Sequence, residues 1–293
     1  MDIRLDGRAA LVTGGSKGLG FAIAKAFAAS GADVAIVARN PEALERAKAE
    51  ITALGGGRAH AVAADVATAE GVAAACASAM DAFGRIDILV NNAGVSATGA
   101  FETITDEAWQ ADLDLKLFAA IRTARLVLPQ MKVRRWGRIF NVLNIGAMAP
   151  RAGSAPTAVS RAAGMALTKV LAGEAAPYNV LVNAMLVGLI DSDQWVRRHA
   201  SQSPDEPYEA FTARLASGVP LGRIGRAEEF ASLACFLASD AGGYVTGTAI
   251  NVDGGTSRRV SGTGRLHCCF RPVSGGVVAP PFDASLRLPC RLF

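Results

Sequence analysis

Short apolar or β-branched runs alternate along this chain with longer stretches in which apolar positions recur every three or four residues. RAALVT (8–13) precedes such a stretch at 18–30, DVAIVA (33–38) one at 41–54, RAHAVAA (58–64) one at 68–83, and IDILVNN (86–92) one at 105–133. GRIFNVL (137–143) is followed by 155–176, NVLVNAML (179–186) by 226–239, and GTAINVDGG (247–255) closes the series. Runs apolar on both sides read as strands covered on both faces, and crossovers of helical length make neighbouring strands parallel. The pattern predicts an α/β fold: one domain over 1–257 with a doubly wound, seven-stranded parallel sheet of Rossmann type. Polar and aromatic residues interrupt the alternation at 188–218, after the sixth strand, where such a sheet places a cover over its ligand; this stretch reads as a lid.

After INVDGGTS the periodicity stops. Residues 258–293 carry six arginines, one acid and no lysine, a net charge of +5 out of the chain's +4, which leaves −1 for residues 1–257. A nearly neutral body has no global basic field, so the pI of about 8.9 is no argument for nucleic-acid binding by the domain. The 258–293 segment is expected to be a disordered basic tail, with a recognition tail as the functional alternative. Cys268, Cys269 and Cys290 lie in it, while Cys76 and Cys235 fall in apolar helical patterns; no metal-ligand spacing is present and the thiols read as reduced. Without a long apolar span or the order of a signal peptide, no membrane association is expected and the cytoplasm is the expected compartment.

LVTGGSKGLGFAIAKAF joins the first strand directly to the first helix. A pyrophosphate must come close to a helix N-terminus to accept backbone N–H bonds, and side chains on the turn would block it; Gly14, Gly18 and Gly20 clear the way. Strand two ends in Ala38 and Arg39. The carboxylate that selects NAD through a ribose 2′-hydroxyl is missing there, and Arg39 and Lys17 bring positive charge toward a 2′-phosphate, so NADP is expected in preference to NAD.

The spacing TGxxxGxG, NNAG at 91–94, AADV at 63–66, NVLVNAMLVG and the stretch 229–255 occur in order, and together they resemble the short-chain dehydrogenase/reductase family over residues 6 to about 256. The resemblance implies that Ser16 and Leu19 join the cofactor turn, that Asp65 and Val66 lie beside the adenine, and that Asn92, Ala93 and Gly94 line the adenosine and ribose side. It also implies that backbone near Gly188 meets the nicotinamide carboxamide, although the usual proline before that glycine is Val187 here. A homotetramer, packed through the helices at 105–133 and 155–176, is implied as well.

Carbonyl-reducing relatives use an Asn, a Ser and a Tyr–Lys pair four apart. Alignment on the flanking motifs puts Lys116, Asn144, Thr157 and Arg161 in those positions, so all four depart. A threonine hydroxyl is a far weaker acid than a phenol, and arginine stays protonated. The replacements still offer chemistry: an Asn144 N–H for a developing oxyanion, a Thr157 hydroxyl to orient it, an Arg161 grip on ribose hydroxyls, and a Lys116 acid if desolvation beside Arg161 lowers its pKa. Tyr178, Tyr208, Asp191 and His199 are candidates for a substitute acid. The sequence thus predicts an oxidoreductase interconverting a small ketone and an alcohol with a non-standard proton donor. Its rivals are an inactive nucleotide-binding or scaffolding homologue and a non-redox isomerase or dehydratase using Lys116 as base.

Overall fold

The computed structural model describes residues 3–258, and the segment 259–293, which holds nearly all of the predicted basic tail, lies outside the described residues. The predicted alternation appears as β1 (Ala9–Thr13), α1 (Gly18–Ala29), β2 (Asp33–Ala38), α2 (Pro41–Thr52), β3 (Ala59–Ala63), α3 (Ala69–Phe83) and β4 (Ile88–Asn91). A two-residue strand β5 (Thr98–Gly99) precedes α4 (Asp106–Leu113), a single π turn (Asp114–Phe118) and α5 (Ala119–Arg134). Then come β6 (Gly137–Asn144), a second short strand β7 (Ala155–Pro156), α6 (Thr157–Ala175) and β8 (Val180–Val187). The predicted lid folds as α7 (Asp193–Gln202) and α8 (Tyr208–Ala216), followed by α9 (Ala227–Ala238) and β9 (Ala249–Val252).

Seven strands form one parallel sheet in the order β3-β2-β1-β4-β6-β8-β9. Period-two alternation sorts their side chains between two cores. Ala10, Val12, Val34, Ile36, Ile88, Val90 and Phe140 pack with Ile23 and Phe27 of α1 and Phe230 of α9. Leu11, Ala35, Val37, Leu89 and Ile139 pack on the other face with Val72 of α3 and Val127 and Met131 of α5. Alanines interleave with Val, Ile and Leu in both layers. Among the described residues no helix is long and apolar enough to cross a membrane, and Cys76 and Cys235 are buried free thiols.

Capping chemistry explains several helix boundaries. Asn40 accepts from the Ala43 N–H ahead of Pro41, and Thr68 accepts from the Gly71 N–H. Gly84 ends α3 in the left-handed region, at φ 73°. α1 differs: Lys17 at its N-cap makes no side-chain capping bond and its first turn contains no acid. No side chain of its N-cap therefore meets its N-terminal amides.

The chain winds outward in both directions from β1 and β4, so a crevice opens at their carboxyl ends. Thr13 locks that edge: its hydroxyl donates to the Val90 carbonyl (3.2 Å) and accepts from the Asn92 (3.0 Å) and Ala93 (3.1 Å) amides. A buried polar ladder braces the next two strands. Thr123 donates to Asn91, whose amide donates to Asn141, whose amide in turn donates to Thr168, each at 2.8–2.9 Å. The antiparallel pair β5–β7 ties the loop after β4 to the start of α6.

Candidate active site

A cleft of about 770 Å³ occupies the crevice. Gly14, Ser16, Lys17, Gly18 and Leu19 form its floor at the start of α1, Arg39 stands at the end of β2, and Asp65 and Val66 follow β3. Asn92, Ala93 and Gly94 continue the wall after β4, and Asn144, Thr157, Arg161 and Gly188 close it on the far side. Lid residues Ser192, Trp195 and Arg198 reach in from above. Two predicted site residues, Gly20 and Lys116, lie behind the lining.

Gly14 and Gly18 adopt φ of +67° and +56°, which residues with a Cβ rarely accept. Gly20 sits beneath them, where a Cβ would run into the Gly14 carbonyl and the Asn92 amide. Its role is thus to seat α1 against the turn, not to clear space for the ligand itself. Asn92 secures the same turn by donating to the carbonyls of Thr13 (3.0 Å) and Gly14 (3.2 Å). Gly188 has a packing reason as well: a Cβ there would stand 2.6 Å from Asp253 Cα on the β9 side, while its N–H donates to Val252. Asp65 Oδ1 accepts from the Ala67 N–H, turning the chain past the cleft. Lys17 and Arg39 are exposed at the cleft edge and take part in no ion pair among the described residues.

The far wall differs from expectation in who faces the ligand. Lys116 projects from the π turn into the protein and is almost wholly buried, ion-paired with Asp112 one turn earlier. Its Nζ also donates to Thr157 Oγ1 at 2.7 Å. Ser160 donates to the other Asp112 oxygen at 2.6 Å. Desolvation lowers the Lys116 pKa to about 8, with Arg161 pushing the same way and Asp112 opposing both. Lys116 does not line the cleft; Thr157, its hydrogen-bond partner, does. Sequence reading missed Asp112 and Ser160 altogether; the D-x-x-x-K spacing of 112–116 was the available signal, but helical i,i+4 pairs of this kind are usually solvated.

Thr157 itself is heavily committed. Its hydroxyl accepts from the Ala97 N–H (3.0 Å) and from Lys116, and has two acceptors for its one hydrogen, the Ala97 carbonyl (2.8 Å) and Asp112 Oδ1 (3.2 Å). Arg161 donates to the Val142 carbonyl at 2.7 Å, while its Nε is enclosed without a partner and burial draws its pKa down to about 10, so it stays charged at neutral pH. Asn144 Oδ1 is likewise buried with no hydrogen-bond partner. An orphaned acceptor beside a cleft invites a donor from the ligand, because leaving it unmet costs about 1–3 kcal/mol.

None of the four substitute acids lines the cleft. Tyr208 donates to Asp191 at 2.6 Å; desolvation, with that bond and the Asp191 charge adding to it, pushes its pKa up to about 12, and His199 Nε2 pairs with the Glu206 carbonyl at 2.5 Å. The first bond ties α8 to the segment before α7, and the second ties α7 to the connection between the two helices. Tyr178, in the connection between α6 and β8, lies under the Lys132 ammonium.

The family model described as enoyl-(acyl carrier protein) reductase matches residues 14–257. Oxidoreductase UcpA of Salmonella typhimurium is 38% identical over 258 residues, which span 87% of this chain and 96% of that protein. L-sorbose reductase from Gluconobacter frateurii, solved in complex with NADPH and L-sorbose, superposes with a TM-score of 0.86 at 36% identity, covering 89% of this chain and all of that one. The apo short-chain oxidoreductase of Pseudomonas aeruginosa, described as containing an atypical catalytic center, superposes with a TM-score of 0.82 at 38% identity over 88% of this chain and 100% of that one.

Proposed function

Because the chain belongs to the short-chain dehydrogenase/reductase family, we propose that it is an NADP(H)-dependent oxidoreductase that interconverts a small ketone and an alcohol, with a proton donor other than tyrosine. The observation that carries this reading is a cleft with chemically distinct ends. One end holds the uncapped start of α1 with Lys17 and Arg39; the other holds Asn144, Thr157 and Arg161. NADPH in the related sorbose reductase supports the cofactor assignment.

The residues fit a dinucleotide. Free amides at the α1 N-terminus receive a pyrophosphate, Lys17 and Arg39 meet a 2′-phosphate, Asp65 and Val66 flank the adenine, and Asn92, Ala93 and Gly94 border the ribose side. Arg161 reaches toward the Gly94 turn, where a Cβ would fall 2.5 Å from its guanidinium, and holds ribose hydroxyls. The nicotinamide supplies the hydride. Asn144 serves the reaction through its N–H groups, which donate to a carbonyl oxygen. The enzyme is read as a cytoplasmic homotetramer with one cofactor-binding domain over 1–257. The exposed Leu126 and Val133 of α5 and Val159 and Val170 of α6 are the side chains offered to its partners.

Stopped-flow absorbance of bound NADPH against a panel of α-diketones, β-keto esters and ortho-quinones tests the activity. Hydride consumption that falls about 10²–10³-fold in Asn144→Ala supports the assignment. Absence of turnover with any carbonyl or alcohol, with the cofactor bound, favours the scaffolding alternative, which draws its own support from the lack of a tyrosine on the cleft wall. A non-redox role in which Lys116 touches the substrate directly as base is disfavoured, since its Nζ is buried behind Thr157.

Cofactor choice has its own test. Arg39→Asp removes a charge-assisted contact worth about 1.5–3 kcal/mol and adds repulsion, so NADPH affinity is expected to fall about 10–100-fold while NADH affinity holds or improves. Fluorescence titration at fixed low salt reads both. Equal losses for the two nucleotides would remove the 2′-phosphate argument.

A further inference from the structure

We propose that Thr157 is the cleft-side end of a buried proton relay fed by Lys116, with Asp112 and Ser160 as its positioning residues. The inference rests on the oxidoreductase reading and identifies the proton donor that reading leaves open.

The geometry supplies a continuous path. Lys116 Nζ bonds to Asp112 and to Thr157 Oγ1, and of these three residues Thr157 alone lines the cleft. The Thr157 hydrogen already has alternative acceptors, Ala97 O and Asp112 Oδ1, so the hydroxyl is not locked into one orientation. Turning it toward the cleft gives up the one bond that hydrogen donates, with Lys116 Nζ still 2.7 Å from Oγ1. Ser160, anchored between Asp112 Oδ2 (2.6 Å) and the Thr157 carbonyl (3.1 Å), holds the carboxylate so that Oδ1 faces the ammonium. The charged groups facing Lys116 are Asp112 from α4 and Arg161 from α6. One holds the proton on the amine and the other loosens it.

A buried ion pair is weak evidence for stability, because apolar residues of similar volume are often as good or better. An amine poised to give up a proton near neutral pH is a general acid, however, and burial is how proteins produce one. When hydride reaches the carbonyl carbon, the C=O π pair becomes a lone pair on oxygen. That oxygen takes the Thr157 Oγ1 proton as Oγ1 takes one from Lys116 Nζ. Lys116 is left neutral, and after product departs, water entering the cleft returns a proton through Thr157. In the oxidative direction each transfer runs backward.

The test reads the lysine and the reaction separately in the full chain. Nζ resonances of ¹⁵N-lysine-labelled protein, assigned by their loss in Lys116→Met, are titrated with pH. Lys116 is expected to titrate near 8, to move down by about one unit or more in Asp112→Asn, and to stay visible in Thr157→Val. Single-turnover oxidation of bound NADPH by the carbonyl panel should slow as pH rises through that midpoint, because the protonated amine is the active form. Thr157→Val should cut it about 10²–10⁴-fold and Thr157→Ser should restore it. Asp112→Asn should be slow at pH 7 and recover on acidification, which a merely structural role would not produce. Turnover whose pH dependence ignores the Lys116 midpoint, or that survives in Thr157→Val, overturns the relay and leaves the oxidoreductase reading standing. Bound NADPH with no turnover of any probe overturns both.

Discussion

Asp112→Ala is expected to lower the unfolding free energy by about 3–5 kcal/mol, because it strands the Lys116 ammonium in a site that neither water nor another anion reaches. For a domain whose whole stability is about 5–15 kcal/mol, this is a large fraction. The sign of the pH dependence follows from Lys116. Its folded pKa of about 8 lies below the ordinary lysine value, so between about pH 8 and 10.4 the unfolded chain binds a proton that the folded chain does not. Stability therefore rises with pH across that window, and the penalty of about 3 kcal/mol is fully present below it. Removing Asp112 lowers the folded pKa further, extends the window downward and enlarges the penalty at neutral pH. Urea unfolding of wild type and Asp112→Ala between pH 6 and 10 measures both effects. The double variant Asp112→Leu with Lys116→Met should return to within about 1 kcal/mol of wild type, since Ser160 and Thr157 retain the Thr157 and Ala97 carbonyls as acceptors. A double variant as unstable as the single one would mean that the pair holds α4 to α6 by itself.

Gly20→Ala is expected to weaken NADPH binding by about 10–100-fold, the largest loss from adding a single methyl anywhere in the cofactor half of the cleft. The new Cβ would lie 2.9 Å from the Gly14 carbonyl carbon, with the carbonyl oxygen and the Asn92 amide nearer still. Neither is the free end of a flexible chain. Gly14 belongs to the backbone turn, and Asn92 is held by two carbonyls. Relief requires α1 to retreat from the turn, which costs about 1–3 kcal/mol and withdraws the amides that would meet the pyrophosphate. Fluorescence titration gives the affinity and a thermal melt the stability. Full affinity with unchanged stability would show that α1 has slack at this contact.

Much of the architecture was legible because burial on both faces forces a parallel strand to be apolar throughout, and VAIV or DILV between helical periods announces that. The glycine turn at the cleft was legible for a similar local reason. A turn that must expose amides needs glycine at positions set by chain geometry, and Gly14, Ser16, Lys17, Gly18 and Leu19 all line the cleft. The break in alternation at 188–218 was legible, and the structure places α7 and α8 there. The π turn at 114–118 left no trace in the residue pattern. One extra residue per turn is a small change in spacing, and the buried Lys116 sits within it.

By itself, then, the amino-acid order determined what short-range physics can encode: the strand–helix alternation, the sheet class, the glycine-cleared turn and the positive edge beside Ala38. Only the tertiary structure decided the proton chemistry. Asp112 and Thr157 stand 45 residues apart and Ala97 and Thr157 60 apart, and no local preference reports that a lysine will be sealed behind a threonine with a carboxylate at its side. The reason is dielectric. The character of an ionisable group is set by what replaces its water, and those replacements come from helices that meet only once the sheet has gathered them.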